Sequence, residues 1–261
     1  MRINRQVTKY TSSSTTGAQI FLSVAMVISI VAIYTMGFNL HSLLLVVLGY
    51  FLYGCLGIVV TYHRLLTHNS YQSRPWLTKI LSTLGCFSST GSPLAWANIH
   101  VNHHLYSDKT KDPHSPLNDG LRIFALDYKI EDKTSYLKHI VKDKYQQFLH
   151  RYYFIVLVSY SIILYSVGGL YLMVFFHLIP AIVTALMSNV VNYVGHKPTW
   201  FGGYRTYELR DQSTNNWVWS VFSWGESWHN NHHRYPKRYT FSDKWYEIDI
   251  SGLIIKLIKV N

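Results

Sequence analysis

Two long stretches of this chain carry no charge. There is no Lys, Arg, Asp or Glu between Lys9 and Arg64, and none between Arg151 and Lys197. Each gap is about twice the roughly 20 residues that one helix needs to cross the hydrocarbon core of a bilayer. Each also breaks near its middle, at Gly37-Phe38-Asn39 in the first and Gly168-Gly169 in the second. A helix on a soluble core keeps a polar face, whereas these segments are apolar all round. The sequence therefore predicts an all-α membrane protein. Its four transmembrane helices form two hairpins, at approximately 19–37, 42–61, 152–168 and 170–190.

Charged residues make up 14% of the chain, against about 25% in soluble domains. The amino-terminal arm (Arg2, Arg5, Lys9), the stretch 64–151 and the tail from 197 hold all the Lys and Arg. By the positive-inside rule both termini face the cytosol, and so does a cap made of 62–151 and 191–261. The net charge of +11 then orients this face against anionic lipid and steers acidic soluble partners towards it. Nucleic acid is excluded as a partner, because no basic helix or known motif accompanies the charge. Cys55 and Cys86 form no CxxC pair, so neither a disulfide framework nor a zinc knuckle is indicated. The first apolar run lacks a small-residue cleavage site and reads as a retained span. The whole of 1–261 reads as one domain.

Within the cap, 76–91 is expected to form a helix in or against the membrane interface. Asp112-Pro113-His114-Ser115-Pro116 is turn-forming. A charged helix is expected from about Lys129 to Arg151, a loop from Lys197 to Asn216, and an amphipathic tail from Lys244 with Leu253, Ile254, Ile255, Leu257 and Ile258.

Eight of the fourteen histidines fall in three short stretches of that cap, YHRLLTH (62–68), IHVNHH (99–104) and WHNNHH (228–233). On an α-helix, positions i, i+3 and i+4 share a face while i and i+1 diverge by about 100°. His100, His103 and His104 thus project to one side but fan apart, and His229, His232 and His233 do the same. Two ions side by side fit that fan better than one. His63 and His68, five apart, match one helical face poorly and suggest that the span unwinds there. Asn192 and His196 add an i, i+4 pair at the end of the last span.

Imidazole suits Zn, Cu, Fe and Ni alike. Nine clustered histidines without cysteine exceed what one four-coordinate zinc can use. A carboxylate-bridged di-iron site is disfavoured, because only Glu226 and His229 make a Glu-x-x-His pair among four glutamates. His41 and His177, near a tip or within a span, read as hydrogen-bonded polar residues.

In their order and spacing these motifs resemble the histidine boxes of the integral-membrane fatty acid desaturases, of the acyl-CoA desaturase-like branch. The boxes are HRLLTH; HVNHH followed by LYSDKTKDPHSP; and HNNHH within GESWHNNHHRYP, with NVVNYVGH before the third and KWYEIDIS after it. The resemblance runs from about Leu40 to the end. It departs from the usual pattern at Val101, Asn102 and Ser227, none of them a ligand position. The resemblance implies two iron ions, one held by His63, His68, His100, His104 and His232. The other would be held by His103, His196, His229 and His233, with Asn192 on a metal-bound water.

It further implies oxygen-dependent introduction of a cis double bond into a saturated acyl chain, an acyl-CoA of delta-9 type or an acyl lipid. Hydrocarbon offers no polarised atom, so the oxidising power must come from a cofactor, with O2 as co-substrate. Trp96, Trp217, Trp219, Trp224 and Trp228 are candidates for the cap end of an acyl tunnel. Glu226, Asp108, Asp112 and Asp211 are candidates to orient ligand imidazoles, and Arg64, Lys109 and Lys111 to meet a phosphate-bearing headgroup. Electrons should come from a separate ferredoxin, rubredoxin or small b-type cytochrome with its reductase. The expected location is the bacterial inner membrane, or the endoplasmic reticulum in a eukaryote. The competing readings are a related di-iron hydroxylase or ketolase on a carotenoid, sterol or alkane, and a membrane metal sensor or transporter. Transport would place ionisable ligands within the bilayer, which these spans lack.

Overall fold

The computed structural model describes residues 2–126, 128, 130–197 and 202–260, with side chains from residue 16 onward. The side chains of Arg2, Arg5 and Lys9 therefore lie outside the described residues, as does Lys129. The protein is mostly helical. Three segments are long and apolar enough to cross a membrane: Thr16–Met36, Leu40–Thr67 and Tyr153–Gly195.

The first belongs to α1 (Arg2–Met36). Ala18, Ala25 and Ala32 recur every seven residues and are buried, while Ile20, Val24, Val27 and Val31 stay exposed. A seam of small residues lets helix backbones approach closely where lipid is the surrounding solvent. After Gly37 the chain restarts at Asn39, whose side chain accepts from Ser42 N at 3.0 Å while Ser42 Oγ accepts from Asn39 N at 3.0 Å. This reciprocal cap begins α2 (Leu40–Tyr50) without any charged residue.

α2 does not unwind at its end. It continues as a π-helix, Phe51–Thr67, in which Thr61 and Thr67 also donate their hydroxyls to the carbonyls five residues back. α3 (Pro75–Phe87) packs against this helix. At their crossing, a Cβ on Gly57 would lie 2.5 Å from Gly85 N. α3 buries Leu81 and Cys86 and exposes Trp76 and Ile80. α4 (Pro93–Tyr106) follows, then the single turn α5 (Pro116–Asp119).

The predicted helix to Arg151 is in fact broken, into a 3-10 turn (Thr134–Leu137), α6 (Lys138–Val141) and α7 (Lys144–Arg151). The break comes at Asp143, whose carboxylate accepts from Tyr145 N and Gln146 N and so starts a new helix.

α8 (Tyr153–Met173) and α9 (Ile179–Gly195), with a π-helical turn Val174–Leu178 between them, make up the third apolar segment. It bends at Gly168–Gly169, where Gly169 has φ +64°. Ser161 Oγ and His177 Nδ1 are 3.0 Å apart, whereas a straight helix would hold them roughly 24 Å apart. The two arms therefore lie side by side. His177 also reaches the Phe87 carbonyl, and His41 stacks on Tyr171, so both are bonded polar residues as the sequence suggests.

Beyond α9 lie α10 (Trp217–Phe222), α11 (His229–Arg234) and α12 (Ile250–Ile258). The predicted loop before α10 holds two short strands, β2 (Gly203–Tyr204) and β3 (Asn215–Asn216), paired antiparallel. β1 (Gln72–Ser73) pairs with β4 (Lys259–Val260), tying the carboxyl end to the exit of the π-helix. α12 is amphipathic. Ile255 is buried in the main core with Cys55, Ile58 and Tyr62, while Leu253 and Leu257 are exposed.

Candidate metal centre

Nine histidines from four elements meet above the apolar helices. His63 and His68 come from the end of the π-helix, where His68 N–H donates to His63 O at 3.1 Å. That i→i+5 bond puts residues five apart on one face, which an α-helix could not do. His100, His103 and His104 come from α4, His196 from the end of α9, and His229, His232 and His233 from α11.

The asparagines between these histidines turn away and fasten their helices. Asn98 and Asn102 hold the backbone of Glu131 and Lys133. Asn230 accepts from Thr206 N and Tyr207 N, and Asn231 donates to Phe241 O and Glu247. Ser227 is buried against the Ser223 hydroxyl.

The imidazoles sort into two groups. His63, His68, His100, His104 and His232 form one, and His103, His196, His229 and His233 the other; within each, the candidate ligand atoms lie within 4.8 Å of one another. His103 and His104, adjacent in sequence, turn to different groups, as do His232 and His233.

The first group has Nε2···Nε2 separations of 3.1 Å (His63–His232), 2.9 Å (His68–His100), 3.0 Å (His100–His104) and 2.9 Å (His104–His232). In the second they are 3.3 Å (His103–His233), 3.0 Å (His196–His229) and 3.1 Å (His229–His233). Imidazole ligands stand about 2.0–2.1 Å from a first-row divalent ion, so neighbours at right angles are about 3 Å apart. The groups thus have the size and the donors to hold such ions, and the first offers one nitrogen more than a closed zinc site takes.

Carboxylates on the other ring nitrogen fix which nitrogen faces inward. His103 Nδ1 donates to Asp112 at 3.0 Å, His196 Nδ1 to Asp108 at 2.9 Å, His233 Nδ1 to Asp211 at 3.0 Å, and His63 Nδ1 to Glu226. An imidazole that donates from Nδ1 turns its Nε2 lone pair to the centre. Burial opposes ionisation of all four carboxyls, but their histidine partners outweigh it and hold them below the ordinary carboxylate range.

Burial, reinforced by neighbouring imidazoles, pushes His68, His100, His104, His229 and His232 well below the usual histidine value. It pushes His233 down to about 4. His103 is raised; burial works against protonation there, and the Asp112 charge overcomes it. The six lowered imidazoles favour the neutral form that metal binding requires.

His114 was not foreseen as part of the site. It is buried, its ring lies 4.5 Å from that of His103, and with His103 and Asp112 it makes a third cluster. Burial lowers it to about 3. The available signal was its place two residues after Asp112, whose Oδ1 accepts its backbone N–H.

A cavity of about 990 Å³, its open mouth included, runs past both groups. Its walls are largely apolar, with Ile58, Val59, Ile99, Met187 and Val191 among them, and His63, His100, His114 and His229 face it.

Trp96 and Trp224 line this cavity, and Trp96 stacks on His100. The other three candidates, Trp217, Trp219 and Trp228, are not in its lining: Trp228 is interior and donates to Ile248 O, and Trp217 is exposed. Asn192 lines the cavity, and its carbonyl accepts the His196 N–H. Of the basic candidates, Lys111 is paired with Glu131 at the surface. Arg64 is fully buried, so it cannot meet a headgroup at the surface.

Helices long and apolar enough to cross a membrane, topped by histidine groups that could hold metal, fit an integral membrane metalloprotein. A profile of the fatty acid desaturase family matches residues 12–248, and the chain belongs to that family of oxidoreductases. It is 32% identical over 217 residues to the sn-1 stearoyl-lipid 9-desaturase of Anabaena variabilis, covering 81% of this chain and 78% of that one. It is 33% identical over 215 residues to Delta-9 acyl-lipid desaturase 1 of Arabidopsis thaliana, covering 79% and 69%. To the Acyl-CoA C20 Delta5-desaturase of Anemone leveillei it is 32% identical over 217 residues, covering 80% and 68%.

Proposed function

We propose that this protein is a membrane fatty acyl desaturase that introduces a cis double bond into a saturated acyl chain in unsaturated fatty acid biosynthesis. The observation that carries the reading is the pair of histidine groups opening on one apolar cavity in a chain of this family. His63, His68, His100, His104 and His232 would hold one iron, and His103, His196, His229 and His233 the other, with Asn192 beside them for a bound water. The iron pair, when bound, supplies the O2-dependent oxidation that hydrocarbon needs.

The remaining tasks fall to the chain. Asp108, Asp112, Asp211 and Glu226 hold the Nδ1 protons of four ligands and so fix their orientation. The cavity walls place a methylene near the histidines and exclude water. Trp96, stacked on His100, limits where the chain can bend.

The third apolar segment is 43 residues long. It is about twice a bilayer crossing and folds back at Gly168–Gly169, which favours four crossings in two hairpins. The cap and both termini then face the cytosol, where a separate, acidic electron donor can reach a basic surface. Two of the three relatives named above are 9-desaturases and the third a Delta5-desaturase, which favours a delta-9 double bond, with an acyl lipid or acyl-CoA as substrate.

Expression in a host that lacks monounsaturated fatty acids, followed by lipid analysis, tests this. New monounsaturated chains are expected, and none should form with His103→Ala. Oxygenated lipids without new double bonds would overturn the reading.

A further inference from the structure

The buried Arg64 is left unexplained by that reaction. Nη1 of its guanidinium donates to Asp249 Oδ2 at 2.7 Å and to Tyr239 O at 2.9 Å. Nη2 and Nε both donate to Glu226 Oε1, at 2.8 and 3.2 Å. The other oxygen of Glu226 takes the His63 Nδ1 proton. The guanidinium also lies 3.8 Å over the ring of Phe241, which packs 4.4 Å from the ring of His232. Arg64 thus touches two members of the five-histidine group at one remove, through Glu226 and through Phe241.

Everything on its far side belongs to the carboxyl-terminal segment. Asp249 accepts Phe241 N–H at 2.7 Å and, as the cap of α12, Gly252 N–H at 2.9 Å. Ser251 donates from its hydroxyl and its backbone N–H to Trp224 O, two residues before Glu226. β4 closes the segment onto β1, just beyond His68. Among the described residues, none of the carboxylates bracing the four-histidine group is bonded to 239–258.

A buried cation between two carboxylates is a poor device for stability, because desolvation offsets most of the attraction. It is a good device for holding one carboxylate in one direction, since the guanidinium fork is planar and rigid.

We infer that Arg64 is a positioning residue through which the docked segment 239–258 sets the five-histidine site, so that tail docking and metal binding there are coupled. Coupling is reciprocal: metal in that site tightens the tail, and a loosened tail weakens that site. The inference rests on the reading that the two groups hold iron.

The test uses the full chain in detergent: wild type, Asp249→Asn, Arg64→Lys, and His68→Ala as a reference for loss of the five-histidine site. Bound iron and Mössbauer spectra of 57Fe-loaded protein are measured, together with hydrogen exchange of 250–258 with iron and after chelation. Asp249→Asn and Arg64→Lys should lose the iron that His68→Ala loses and keep the other. In wild type, chelation should speed exchange in 250–258 by at least about tenfold. Retention of both irons in the two variants, or tail exchange indifferent to iron in wild type, overturns the inference. The exchange arm needs no variant, so it decides the matter even if a substitution prevents folding. A wild-type chain that binds no pair of irons would instead overturn the proposed function.

Discussion

His103 Nδ1 is held by Asp112 while its Nε2 faces His233, so the carboxylate decides which nitrogen is available. Asp112→Asn keeps the shape but removes the charge that fixes this tautomer. It should weaken metal binding at the four-histidine group by about 10–100-fold, measured by iron retention against a competing chelator, with the fold intact by circular dichroism. Histidines held neutral also make the metal-free protein sensitive to acid. The usual histidine value near 6.5 applies to the unfolded chain, and His233 falls to about 4 on folding. Between those values the unfolded state binds more protons, so stability drops as pH falls from about 6.5 towards 4 and is undiminished above that window. Thermal unfolding of the iron-free protein in detergent should show a falling midpoint from pH 7 to pH 5. A flat profile would contradict the burial of these rings as neutral groups.

Among the elements, the π-helix Phe51–Thr67 and α3 meet at Gly57 and Gly85, where a methyl on Gly57 has no room. Gly57→Ala should destabilise the protein by about 1–3 kcal/mol, read as a lowered unfolding midpoint, because α3 must shift outward. The limits of sequence reading are visible in the same helix. The fanning of His103 from His104 and of His232 from His233 follows from α-helical geometry and is legible from spacing. His63 and His68 match no α-helical face, and nothing local in HRLLTH announces the i→i+5 turn that aligns them. The apolar spans and the break at Gly168–Gly169 were readable from charge and glycine. The helix expected to run to Arg151 is broken because Asp143 acts as a cap, a role that its charge alone does not announce. The headgroup role expected of Arg64 fails because charge alone does not reveal that Glu226 and Asp249, far off in sequence, surround it.

For the whole molecule, the net charge of +11 predicts the character of its encounters. Turnover driven by an acidic electron donor should fall as ionic strength rises from about 0.01 to 0.15 M, with little change when a small neutral reductant replaces it. Equal salt dependence with both reductants would remove the case for steering. One larger consequence follows from the inward-facing nitrogens. A newly made chain has to gather nine mutually repelling electron pairs into one chamber before any cation is there to reconcile them. A metal pair bound there would be a keystone of the folded cap as well as a reagent, because a ligand that binds only the native state raises its population. With iron as the proposed pair, a cell short of it would hold less of this protein, losing the enzyme itself rather than keeping idle copies of it.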